Sequence, residues 1–230
     1  MSSGSSRIQI PAHLQSLTNG RKSIRYAPMK TSTAATIKRR VRSARPGTFL
    51  RVADLATDHH HRHAVEHALS RLAASDAPIV RARKGLYYRG VSSRFGKTRP
   101  RPMEVALEVT RGAGSGPAGW SALRALGLTT QVPSVDEVAI VGAAPTGVDG
   151  VRFHVRRSPD RLHLTFDEIA ALEAIRAWPT HGESGTEALE DAVRGLASEG
   201  RIRPERLVKA AHREPPSVRA SLGQLFAAAA

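Results

Sequence analysis

Five histidines stand within nine positions, at His59, His60, His61, His63 and His67, with Arg62, Glu66, Ser70 and Arg71 among and just after them. Groups of these types have two chemistries open to them: ligating a metal, or hydrogen bonding to phosphates and base edges. Metal ligation finds i, i+4 histidine pairs at 59/63 and 63/67. Beyond those pairs it finds only Asp58 or Glu66 as a further ligand, no HExxH frame, and no cysteine in the chain. No metal is therefore expected, and imidazoles facing nucleic acid fit better, with binding that tightens as pH falls. Arg62 and His63 are the leading base-edge candidates, and Glu66 is placed to accept from a cytosine amino group or to pair with Arg62. Arg71, Arg83 and Lys84 are read as phosphate contacts, which position a protein without specifying sequence.

Two other constellations carry chemical possibilities. Gly114, Gly116 and Gly119 spell GxGxxG, with Asp136 farther on, a formal dinucleotide fingerprint. That fingerprint needs a buried strand in front of it, whereas Glu104 and Glu108 stand four apart in a stretch that reads as a helix. A helix-capping loop and no cofactor are expected. Arg152, Arg156, Arg157 and Arg161 cluster with His154 and His163, but no nucleophile frame or carboxylate pair accompanies them. The four arginines are read as a solvated surface able to meet an acidic protein partner, and no catalytic residue is assigned anywhere.

Charge narrows the partner. The 230 residues carry 35 Lys+Arg against 20 Asp+Glu, a net charge of +15. The excess is confined to one half: residues 1–103 hold 21 Lys+Arg and 4 Asp+Glu, and residues 104–230 hold 14 and 16. Such asymmetry separates a nucleic-acid-facing module from a near-neutral one. Absent cysteine excludes a disulfide framework and a thiolate nucleophile. No apolar run approaches the roughly 18 residues of a membrane span, and the serine-rich start lacks the apolar stretch of a secretory signal. A cytoplasmic protein without a membrane partner is expected.

The elements that would position these residues follow from periodicity. Residues 1–28 mix Ser, Gly and basic residues without a period and read as a mobile basic arm, with Arg21, Lys22, Arg25 and Lys30 able to track phosphates. Ala34, Ile37, Val41 and Ala44 form a helical stripe that Pro46-Gly47 ends. Thr48 to Leu50 is a short strand; Val52, Leu55 and Ala56 mark a short helix, and Asp58 is a candidate N-cap. A third helix runs from about His60 to Ala74, with Val65, Ala68, Leu69 and Leu72 packed. His59, Arg62, His63, Glu66, His67 and Ser70 lie opposite, and His61 points to the packed side. Ile79–Ala82 and Leu86–Tyr88 form a hairpin with Arg83-Lys84-Gly85 at its tip. This order is that of a winged helix-turn-helix, whose third helix fits the major groove while the hairpin lies over the backbone.

The remainder reads as a mixed domain. Ser92 to Pro102 is basic, polar and proline-interrupted, as a linker would be. Val138–Val141 and Val151–Val155 make a strand pair around a turn-rich stretch, Gly142 to Gly150. Helical stripes follow at Ile169/Leu172/Ile175, Leu189/Val193/Leu196, Leu207/Val208 and Val218/Leu222/Leu225, with Trp120 and Trp178 as partner anchors if exposed.

Four stretches carry a family resemblance: AVEHALSRLAASDAPIVRARKGLYYRG (64–90), SALRALGLTTQVP (121–133), LTFDEIAALEAIRAWP (164–179) and REPPSVRASLGQL (213–225). Together they resemble the AbiEi family of antitoxins from type IV toxin–antitoxin systems. The resemblance implies a bacterial two-gene operon in which a winged helix binds operator repeats and represses its own promoter. It likewise implies a C-terminal domain that counteracts a nucleotidyltransferase-like toxin, directly or indirectly. The chain departs from the family at DHHHRH, residues 58–63, where a Gly-Ser-Arg-type run is expected, so operator sequence does not transfer.

The expectation is thus an α+β, mostly helical chain. It comprises a basic arm (1–28), a winged helix-turn-helix domain (29–91), a linker (92–102) and a C-terminal antitoxin domain (103–230) with a small sheet and several helices. It would bind double-stranded operator DNA, with a homodimer possible there. The competing reading is a stand-alone winged-helix regulator whose C-terminal domain senses a ligand.

Overall fold

A computed structural model describes residues 32–112, 114–182 and 185–227. The chain divides at Ser32/Thr33 into two units, and the second, Thr33–Ala230, contains every element described here. The arm read over residues 1–28 lies outside the described residues. The second unit is α+β and mostly helical, with small sheets.

The first elements are α1 (Thr33–Ser43), β1 (Phe49–Arg51), α2 (Val52–Leu55), α3 (Arg62–Ala74), β2 (Ile79–Arg83) and β3 (Leu86–Arg89). The strands form an antiparallel sheet in the order β1-β3-β2. Apolar spacing sets the core: Ile37 and Val41 of α1, Leu50, Val52, and Val65, Ala68 and Leu69 of α3 are buried with Ile79 and Tyr87. Ala34, at the start of the α1 stripe, is exposed. Gly85 takes φ +76° at the hairpin turn, and its carbonyl accepts from Val52 N at 3.0 Å, tying the tip to the start of α2.

Residues 92–102 are more than a spacer. Strands β4 (Ser92–Ser93) and β5 (Gly96–Lys97) pair as a small hairpin, and Lys97 Nζ donates to the carbonyls of Ala73 (2.8 Å), Ser75 and Ile79 (3.5 Å). A lysine ammonium there satisfies carbonyls that the end of α3 leaves free.

Next come α4 (Pro102–Thr110), β6 (Gly116–Pro117), α5 (Gly119–Ala125), β7 (Asp136–Val141) and β8 (Val151–Arg156). Strand β7 pairs antiparallel with β6 and parallel with β8, so the expected strand pair exists without being a hairpin. The 142–150 crossover returns across α4: Val148 packs with Met103 against Ala106, Val138 and Ile140. Helices α6 (Phe166–His181), α7 (Thr186–Ser198), α8 (Pro204–Ala211) and α9 (Pro216–Phe226) complete the fold. Helix α6 is buried nearly all round at its centre, and Ile169, Leu172 and Ile175 share one core with Leu189, Val193, Leu207, Val218, Leu222 and Leu225. Val208 is exposed rather than packed, and Trp178 is buried, which removes it as a surface anchor. Trp120 is half-buried, its ring 4.6 Å from that of His181.

Two of the four arginines read as surface are instead interior. Arg161 is fully buried and donates to Glu173 (2.6 Å) and Glu214 (2.7 Å), while Arg156 makes a two-pronged pair with Glu173 at 2.8 and 2.6 Å. Arg152 and Arg157 remain exposed. The partners of Arg156 and Arg161 lie on α6 and in the turn before α9, far along the chain, so local composition could not reveal the pairing.

Candidate nucleic-acid interface

Helix α3 begins at Arg62 with His61 as its N-cap, rather than at His60 behind an Asp58 cap. His59 and His60 therefore precede the helix, and His60 closes a turn with Thr57 through reciprocal backbone bonds of 2.9 and 3.1 Å. The His60 ring is half-buried, with Nδ1 3.1 Å from Thr33 Oγ1 at the start of α1. It joins α1 to the turn, so the ring is engaged within the fold rather than standing in the open row of α3. His61, expected on the packed side, is exposed because the cap position lies outside the helical wheel.

Within α3 the exposed row is His63, His67, Ser70, Arg71 and Ala74. His63 and His67, one turn apart, bring their ring centroids to 4.5 Å in an edge-to-face arrangement. Arg62 is exposed, but it stands in line with Glu66, Leu69 and Ala73, the row flanking the core, and its place in the first turn keeps it in solvent. Glu66 is half-buried beside the sheet. Nearby, the phenol of Tyr87 is fully enclosed; burial pushes it above its ordinary range, against a smaller downward pull from Arg81 and with an upward push from Glu66.

The hairpin supplies a second group. Lys84 is exposed at the turn and Arg83 half-buried beside it, where the β2–β3 register shifts between Arg81 and Arg83. Such a bulge re-aims side chains near a strand end. Arg81 is exposed, as are Lys38, Arg39, Arg40, Arg42 and Arg45 of α1 and the loop after it. These α1 cations passed unassigned at the sequence level; their polar wheel positions were the available signal.

The glycine loop is accounted for by packing. A helix, α4, precedes it in place of a strand, and a Cβ on Gly116 would lie 2.8 Å from Ile169 Cγ2. At Gly119, φ is +50° and a Cβ would meet the Glu137 carboxylate at 2.7 Å. That carboxylate accepts from Trp120 N at 3.4 Å and contacts His154 Nε2 at 2.7 Å. Asp136 accepts from Met103 N at 3.0 Å, capping α4. Among the described residues, no group of three His, Cys, Asp or Glu side chains stands close enough to hold a metal ion, and no helix is long and apolar enough to cross a membrane.

The described residues form an α+β fold that presents a cation-rich exposed helix and hairpin. The chain belongs to a family of unknown function (DUF6088), whose model matches residues 36–185. A comparison with curated proteins gives no match. Among solved structures, the chain is similar to the crystal structure of the RV2827C protein from Mycobacterium tuberculosis. The two share 17% identity at a TM-score of 0.47, over 85% of this chain and 77% of that one.

Proposed function

We infer that this protein binds double-stranded DNA through α3 and the β2–β3 hairpin. The observation that carries the reading is the exposed His63–His67–Ser70–Arg71 row beside a hairpin bearing Arg83 and Lys84, in a half-chain with 21 Lys+Arg and 4 Asp+Glu. The element order and the β1-β3-β2 sheet support reading residues 33–89 as a winged helix-turn-helix. In this reading His63, His67 and Ser70 enter the major groove, with Arg62 and His59 at its mouth. Arg71, Arg83 and Lys84 hold phosphates, and a second copy on a repeated half-site adds affinity.

The physiological role we assign is a cytoplasmic antitoxin that represses its own operon and counteracts a nucleotidyltransferase-like toxin. The family-like phrases LGLTTQVP and EPPSVRASLG support this role. Exposed Arg152 and Arg157 are the cations left for an acidic partner surface. The test has two arms. Fluorescence anisotropy should give tighter binding to DNA upstream of the protein's own reading frame than to a shuffled duplex, with affinity falling steeply as salt rises. Co-expression with the adjacent gene product should rescue growth; absence of rescue with intact DNA binding leaves a stand-alone regulator.

A further inference from the structure

The β4–β5 hairpin holds an aromatic ring in solvent. Phe95 is 86% exposed, and the hairpin is ordered around it: Phe95 N donates to Ser93 Oγ (3.1 Å), Ser93 Oγ to Gly96 O (3.2 Å), and Thr98 N to Val91 O (2.9 Å). The Arg94 guanidinium lies over the Phe95 ring, 4.6 Å from its centroid. Isolated exposed apolar residues are ordinary. This one sits at the tip of a turn that its own hydrogen bonds stiffen, and Lys97 fastens the turn to the carbonyls of Ala73 and Ser75 at the end of α3 and of Ile79 at the start of β2.

Charge selects the partner. Residues 77–103, which include both hairpins, contain eight Lys and Arg and no Asp or Glu. A surface of that composition repels other cationic proteins and attracts a polyanion. DNA-bending proteins wedge apolar side chains such as Phe into a base step from the minor groove and use Arg and Lys to read the groove beside them. The 13 residues of α3 span about 20 Å, so the hairpin stands at the far end of the exposed α3 row from His63.

We propose that the β4–β5 hairpin is a second DNA-contacting element: Phe95 wedges against a base step beyond the groove occupied by α3, and Arg94 contacts the adjoining backbone. The proposal rests on the DNA-binding reading above. Its physical basis is the Lys97 tether to the end of α3, which places the wedge at that end of the reading helix and adds contact without a second copy.

The test uses the full chain with a fluorescein-labelled mixed-sequence duplex and with the same duplex carrying 2-aminopurine. Phe95→Ala should weaken binding about tenfold and abolish the rise in 2-aminopurine emission that accompanies unstacking, whereas Phe95→Trp should keep both. Arg94→Ala should lower the salt slope by about one. Wild-type binding by Phe95→Ala and Arg94→Ala, while Lys84→Ala is weakened, would overturn the hairpin's role and leave the first reading standing. No binding by the unaltered protein at low salt would remove both. Retained DNA affinity with loss of a co-expressed protein partner would assign Phe95 to protein contact and overturn the proposal.

Discussion

Arg161 Nη1 donates to Glu173 Oε1 at 2.6 Å, and neither side chain reaches solvent. The pair joins the turn after β8 to the centre of α6. Arg156 and Glu214 extend it, and Arg176 closes on Glu214 at 2.6 Å. Burial opposes ionisation of Glu173, but the Arg156 hydrogen bonds and the charges of Arg161 and Arg156 outweigh it and hold the carboxyl below its ordinary value. Glu168 is likewise lowered: burial works against it, and Arg203 hydrogen bonds and the Thr165 amide prevail.

A carboxyl lowered on folding contributes stability above its unfolded pKa and loses it as pH falls through the folded one. Thermal stability should therefore decline as pH drops below the ordinary glutamate value of 4.5. Glu173→Gln should cost about 3 kcal/mol at neutral pH, because Arg161 stays buried with one partner fewer. The same variant should show a shallower acid decline in melting scans. An unchanged acid profile would show that other carboxylates set it.

The α3 geometry reorders the candidates: the sequence put Arg62 with His63 at their head, whereas His67 shares the exposed row with His63 and Arg62 does not. His67→Ala should cost about 1–3 kcal/mol on the preferred duplex and little on a shuffled one, and Arg62→Ala should discriminate less. Lys84→Ala should weaken all duplexes alike and reduce the salt slope by about one. Anisotropy titrations on paired duplexes check all three, and a larger specificity loss for Arg62→Ala would reverse the ranking.

Gly119 serves packing, so its replacement is a stability experiment. Gly119→Ala places a Cβ against the Glu137 carboxylate at a positive φ and should destabilise by about 1–3 kcal/mol. Dinucleotides should leave the melting temperature of the unaltered protein unchanged. A ligand-dependent rise would restore the cofactor reading of the loop.

Arg51 and Glu108 bridge the first elements to α4: Arg51 Nε donates to Glu108 Oε1 at 2.8 Å and a second nitrogen reaches the Glu108 carbonyl. Both side chains keep some solvent contact. A double-mutant cycle with Arg51→Ala and Glu108→Ala should return a coupling of about 1 kcal/mol or less, falling with added salt.

Local periodicity carried much of the fold into the sequence. The α1 stripe, the β2–β3 hairpin with Gly85 at its turn, and the apolar rows of α6, α7 and α9 are each set by neighbours three, four or two positions away. What escaped depends on distant partners. Nothing near His60 signals Thr33, 27 residues earlier, and nothing near Arg161 signals Glu214, 53 residues later. The parallel β7–β8 pairing escaped because alternation locates strands and not their direction. The β4–β5 hairpin was hidden by composition that a linker shares: its stability comes from Lys97 reaching α3, not from apolar residues.

The family match ends at residue 185, but the core does not. Ile169, Leu172 and Ile175 are covered by side chains from α7, α8 and α9, all beyond that point. Cutting the chain at the edge of the matched region would strip a mostly apolar helix on one flank and leave Arg161 without Glu214. The segment that matches the family and the segment that the core spans are therefore different lengths. The helices beyond the match serve as a hydrophobic lid on the matched part.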